Sequence, residues 1–136
     1  MPTAAPAAAP AAADFATLAE ELGHAAVLFG DAVPERNANE NSAQAPHWPI
    51  AVLRPVDAAG VAACLRTCRS LNLPVVPQGG LTGLCGGARP ETGWVALSLE
   101  RMVGIEEIDP DACTMTVLAG TPLGRSARDG LLAYTR

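Results

Sequence analysis

Lysine is absent from this 136-residue chain, and all nine positive charges are arginine. A phosphate loop ending in Gly-Lys-Ser/Thr is thereby excluded, because the lysine ammonium is what reaches the phosphates. Charge of either sign is scarce at 17%, and a formal balance of -5 leaves no basic face for a nucleic-acid backbone. No CxxC pair occurs among Cys64, Cys68, Cys85 and Cys113, and His24 and His47 stand far from any cysteine pair, which speaks against a metal site. The four cysteines read as reduced thiols of a cytoplasmic protein. No apolar run approaches the roughly 20 residues that cross a bilayer, so the chain is expected to be soluble, with no membrane span. The opening MPTAAPAAAPAAA, residues 1–13, has no basic stretch and is interrupted by prolines. It reads as a disordered tail, not as a secretory leader.

What is present is apolar residue enough, at 49%, for one core in one domain. Asp14 is placed to cap a helix to about Phe29, with Phe15, Leu18, Leu22, Ala25 and Phe29 at helical spacing. Residues 31–49 are polar and broken by Pro34, Pro46 and Pro49, which makes them an irregular lead-in. The helix and lead-in together form an N-terminal part over 14–44. Residues 50–53 read as a buried strand. Asp57 then caps a second helix, with Val61, Leu65 and Cys68 on one face, ending near Asn72. Residues 73–76 form the next strand, closed by Pro77. This βαβ unit favours a parallel pair with a right-handed crossover. Residues 94–99 read as a further buried strand. Residues 102–108 and 113–119 read as two strands joined by the turn Asp109-Pro110-Asp111. Thr114, Thr116 and Leu118 alternate with Met115, Val117 and Ala119, so one side of the last strand should be wetter. The expected fold class is α+β: a small parallel βαβ subdomain, then the start of an antiparallel sheet.

The informative stretch is Pro77-Gln78-Gly79-Gly80-Leu81-Thr82-Gly83-Leu84-Cys85-Gly86-Gly87, with five glycines in the nine positions 79–87. Such a run costs chain entropy. A surface turn in an Ala/Gly-rich protein is the plain explanation. The functional one is a main-chain nest, in which successive N–H groups point at phosphate oxygens and Thr82 adds a hydroxyl. No two of these glycines are separated by a single residue, so the GxGxxG fingerprint of an NAD-binding Rossmann fold fails. Cys85 reads as a packing thiol. Gly86 and Gly87 read as packing glycines, and Arg101 as a solvated or salt-bridged structural residue.

The ordered string PVVPQGGLTGLCGGARP, then WVALSLERMVGIEEIDPDACTMTVLAG, resembles the PCMH-type flavin-binding domain of the vanillyl-alcohol oxidase superfamily. It is most similar to the FAD-linked oxidase branch of glycolate oxidase subunits, D-lactate dehydrogenases and D-2-hydroxyglutarate dehydrogenases. That branch carries P-x-G-G-x-T-G-L-x-G-G, an apolar strand, L-x-R-M, I-x-x-I-D-P and V-x-A-G. These match 77–87, 99–102, 105–110 and 117–120, and the resemblance covers roughly residues 45 to 120.

The resemblance implies an FAD-binding domain over 45–136, incomplete at its end. The FAD pyrophosphate would be wrapped by main-chain N–H groups of Gln78, Gly79, Gly80, Leu81, Thr82, Gly83 and Leu84. Ala119 and Gly120 would form the small-residue strand end that lets the cofactor pass, with a turn glycine as the plain alternative. The branch commonly has Asn where Leu81 stands, and covalent relatives place a linking His there, so the FAD should be noncovalent. His47 reads as an ordinary loop histidine. The implied activity is oxidation of a small 2-hydroxy acid by hydride transfer to FAD. Catalytic residues and any metal ligands would come from a cap domain, on a downstream chain or partner subunit. The chain alone is then expected to bind FAD weakly, to aggregate and to be inactive. A noncatalytic flavin- or nucleotide-binding module and a nonfunctional gene fragment are the alternatives.

Overall fold

The computed structural model describes residues 10–39, 45–124 and Gly130. Most of the Ala/Pro-rich tail (1–9), part of the lead-in (40–44) and most of 125–136 therefore lie outside the described residues. A 3-10 turn (Ala12–Phe15) runs into helix α1 (Ala16–Leu22), and strand β1 (Val27–Phe29) follows closely. The helix expected to reach Phe29 is cut short. Gly23 sits at φ +86, outside helical space, and residues 27–29 pair with a neighbouring strand instead. Asp14 does not cap α1: its carboxylate accepts the Ala11 N–H at 2.7 Å inside the preceding turn. Phe15 and Leu18 are buried, as their spacing predicts, and the Phe15 ring meets Phe29 edge-on at 5.0 Å.

Strand β2 (Ala51–Leu53), helix α2 (Ala58–Ser70), strand β3 (Val75–Gln78) and strand β4 (Val95–Ser98) come next. Asp57 caps α2 as read, accepting the Gly60 N–H at 2.7 Å, a bond that contributes about 1 kcal/mol. The packed stripe of α2 is Gly60, Ala63, Cys64 and Cys68, while Leu65 faces out, so the buried face is rotated from the expected one.

The sheet order is β1-β2-β4-β3, with β1 antiparallel to β2 and the other three strands parallel. β2 and β3 are parallel, as a βαβ unit requires, but β4 lies between them. Every residue of β4 is buried, and a strand covered on both faces belongs inside a sheet. The edge falls to β3. Pro77 lies within that strand instead of closing it, because an edge position tolerates the missing N–H.

One face of the sheet packs Ala51, Leu53, Val95 and Leu97 against Phe15 and Leu18 near α1 and against Ala63, Cys64 and Cys68 of α2. A fully buried leucine there contributes about 2 kcal/mol. The opposite face, Val52, Val76 and Ala96, is covered by Val33. The lead-in is therefore a packed strap, with Val33, Asn37 and Ala38 buried. Cys64 and Cys68 pack as small hydrophobes: burial pushes the Cys64 thiol up to about 12, helped by Cys68, and the Cys68 thiol up to about 11.

Strands β5 (Ile105–Asp109) and β6 (Thr114–Val117) form a separate antiparallel pair, bulged between Ile105 and Glu107. The Asp109 carboxylate holds their turn by accepting the N–H groups of Asp111 at 3.0 Å and Ala112 at 2.9 Å. Thr114 and Thr116 are exposed and Met115 half-buried, but Val117 is exposed too, so the wet and dry sides separate at one end only. Among the described residues no helix is long and apolar enough to cross a membrane.

Candidate functional site

β3 and β4 end side by side, with Gln78 opposite Ser98, and the glycine-rich stretch departs from that end. Ligands of open parallel sheets bind outside the carboxyl ends of the strands. A glycine is needed where φ is positive, where a neighbour crowds the Cβ position, or where a ligand must come close. Gly86, at φ +82, meets the first condition. Gly120 meets the second, since a Cβ there would lie 1.8 Å from the Leu99 carbonyl oxygen. Gly79, Gly80 and Gly87 meet neither. A Cβ on Gly80 would come no nearer than 3.9 Å, to Thr82, and one on Gly79 would come to 4.0 Å from the Ala119 oxygen. Around Gly87 there is nothing within 4 Å, so it does not serve packing, and Gly86 serves the turn.

Leu81 is half-buried at φ +58, a left-handed conformation costing about 1 kcal/mol for a residue with a Cβ. A short polar side chain such as Asn sits there more easily, which accounts physically for the residue common in the similar branch. Thr82, Gly83, Leu84 and Cys85 are exposed, so Cys85 is not a packing thiol. Among the described residues, no main-chain N–H from position 79 to 85 donates to another backbone group. Ala119 is exposed beside Gly79, so those two expected site residues do come together. Gly120 is packed against the main chain of Leu99 and Met102. Its N–H donates to the Met102 oxygen at 2.9 Å, locking the strand end onto the turn at 99–102.

Gln78 differs from its neighbours because its side chain is fully buried. Its Nε2 donates to the main-chain oxygens of Asn37 at 3.0 Å and Ala88 at 2.9 Å. Its Oε1 accepts from Asn37 Nδ2 at 2.7 Å. Asn37 was invisible as a site residue in the sequence, lying in a polar run with no periodicity. Close by, Glu100 pairs with Arg36 at 2.6 Å and Arg54 at 3.3 Å, while Arg101 donates to the Arg54 oxygen at 3.2 Å, a structural task. His47 is half-buried, with Nδ1 3.3 Å from a Glu91 carboxylate oxygen. Among the described residues, no three of His, Cys, Asp or Glu gather into a metal-ligand set. A concavity of about 500 Å³ between Gly30, Asp31, Val33, Trp48, Pro49 and Ile50 contains none of the loop residues.

Open glycines and N–H groups without a backbone partner at the end of a parallel strand are the features that a main-chain phosphate cradle requires. Residues 49–129 match the family described as FAD binding domain, and the chain belongs to that family, with FAD as its cofactor. It is 32% identical over 124 residues to an uncharacterised FAD-linked oxidoreductase of Mycobacterium tuberculosis, covering 88% of this chain and 27% of that protein. It is 38% identical over 89 residues to a D-2-hydroxyglutarate dehydrogenase of Xanthomonas citri, covering 63% of this chain and 19% of the other. A solved p-cresol methylhydroxylase superposes with a TM-score of 0.71 at 25% identity, over 91% of this chain and 26% of that one. The mixed sheet thus has the PCMH-type FAD-binding fold. The chain spans about a quarter, or less, of the length of these relatives.

Proposed function

We propose that this chain supplies the pyrophosphate-holding part of the flavin site in an enzyme that oxidises a small 2-hydroxy acid. The observation that carries the reading is the pair Gly79 and Gly80, which the fold leaves open beside Ala119. Main-chain N–H groups of 79–84 hold the pyrophosphate, with Gln78, whose own N–H belongs to the β3–β4 ladder, at the base of the cradle; the Thr82 hydroxyl adds a donor, and Ala119 lets the cofactor lie against the strand end. Gly120 contributes by fixing Ala119 in place. FAD accepts hydride when bound; these residues bind and orient it. Leu81, standing where covalent relatives carry a linking histidine, leaves the flavin noncovalently held. The likeness to a D-2-hydroxyglutarate dehydrogenase supports a 2-hydroxy acid as substrate, and the unpaired cysteines support a reducing compartment.

The test is dye-coupled oxidation of glycolate, D-lactate and D-2-hydroxyglutarate, with FAD, by the chain alone and mixed with the product of any adjoining reading frame. Flavin released by acid precipitation, with turnover of one of the three acids in the mixture, is the expected outcome. Tight flavin binding without turnover of any acid in either sample would leave a binding module. Flavin retained in the washed acid pellet would contradict noncovalent attachment.

A further inference from the structure

We infer that Gln78 is a positioning residue whose side chain sets the span of the ligand loop, an inference that rests on the proposed flavin-site reading. The loop runs from 79 to 87, and the bond from Gln78 Nε2 to the Ala88 oxygen, 2.9 Å, joins the two residues that flank it. The second Nε2 hydrogen goes to the Asn37 oxygen and Oε1 accepts from Asn37 Nδ2, so one planar amide binds the loop base to the strap behind the sheet. Gln78 and Asn37 are both fully buried, where such bonds are not exchanged for water. Both amide hydrogens point inward, so the side chain has no donor left for a ligand and acts only through the loop.

The physical need for a clamp is plain. Five glycines in nine positions give the open loop many conformations. N–H groups bind an anion well only if they are already aimed at it. The exit of the loop has its own anchors: Arg89 donates to the Ala45 oxygen at 2.8 Å, and Pro90 is fully buried. At the start of the loop the strand alone fixes direction, and the Gln78–Ala88 bond sets the width. The same closure opposes relaxation of Leu81 from φ +58. Glu at position 78 lacks both donors, Asn is one methylene too short, and Met has the shape without the bonds.

The test compares wild-type chain with Gln78→Met and with the double variant Asn37→Leu/Gln78→Met, which removes the Asn37 side-chain amide together with its partner and leaves only the main-chain oxygens of Asn37 and Ala88 without the Nε2 donor. Val61→Ala, a trimming of half-buried α2 packing, serves as the stability control. Backbone ¹⁵N order parameters and the FAD dissociation constant are measured for each. In both Gln78 variants the order parameters of 79–88 should fall from the rigid range to below about 0.6 and FAD should bind about tenfold more weakly, with α2 matching the control. Loop order and affinity that merely follow the Val61→Ala control would overturn the clamp. A loop that loses order in a chain that binds no FAD even as wild type would uphold the clamp and refute the flavin reading. Normal FAD binding with an unloosened loop would do the reverse.

Discussion

Gly120 and the Gly79–Gly80 pair are read alike in the sequence, as small residues beside a cofactor, yet the structure treats them oppositely. Gly120 is sealed: a Cβ there would overlap the Leu99 carbonyl at 1.8 Å and crowd the Met102 oxygen at 3.0 Å. Gly79 and Gly80 face space, and no feature of the fold requires them to be glycine. The difference separates a glycine the fold needs from glycines the fold leaves open, the ones the proposed cofactor contact would use. At the 119–120 strand end, Gly120 is taken up by the junction with the 99–102 turn, while Ala119 is exposed.

The largest effect belongs to the sealed position. Gly120→Ala should cost about 3 kcal/mol or more, because backbone, not a flexible side-chain tip, occupies the space. Urea unfolding reads this, and a midpoint equal to wild type would erase the distinction. Gly80→Val should do the opposite: circular dichroism and unfolding stay near wild type, while FAD affinity falls at least about a hundredfold. Equal affinities would take the loop out of the site.

The cysteines repeat the contrast of sealed and open. Cys64 and Cys68 are buried with thiols pushed up to about 12 and about 11 from 9.0, whereas Cys85 and Cys113 are exposed. A raised thiol favours the folded state while it stays protonated. This part of the stability is fully present below pH 9.0 and declines as pH rises from there toward 11 and 12. A thiol reagent at pH 8 should label two cysteines quickly and the other two only as the chain unfolds; four fast labels would show an open core. The smallest effect is Leu81→Asn, which should raise stability by about 1 kcal/mol by relieving the left-handed Leu81. A lower unfolding midpoint would mean that Leu81 packing outweighs its strain.

Much of the fold was legible because local chemistry and global position agree there. Asp57 caps α2, the unbroken apolar run at 95–97 is a doubly covered strand, and Asp109 turns the β5–β6 hairpin. The glycine loop was legible from its ordered motifs. Three things were not. Residues 27–29 continue a helical spacing, and only the φ of Gly23, a tertiary outcome, turns them into a strand. The insertion of β4 between β2 and β3 is a long-range pairing that periodicity does not encode. The inward turn of Gln78 depends on Asn37, 41 residues away in an aperiodic polar run.

The central claim, that the open glycines exist for a pyrophosphate, is tested most directly by competition at equilibrium. Wild-type chain is dialysed against FAD with ADP, which carries the pyrophosphate, or with riboflavin, which carries none. The account predicts that ADP displaces FAD from the wild type, that riboflavin does not, and that Gly80→Val binds neither FAD nor ADP. Riboflavin displacing FAD as well as ADP does, or Gly80→Val retaining both nucleotides, would contradict it.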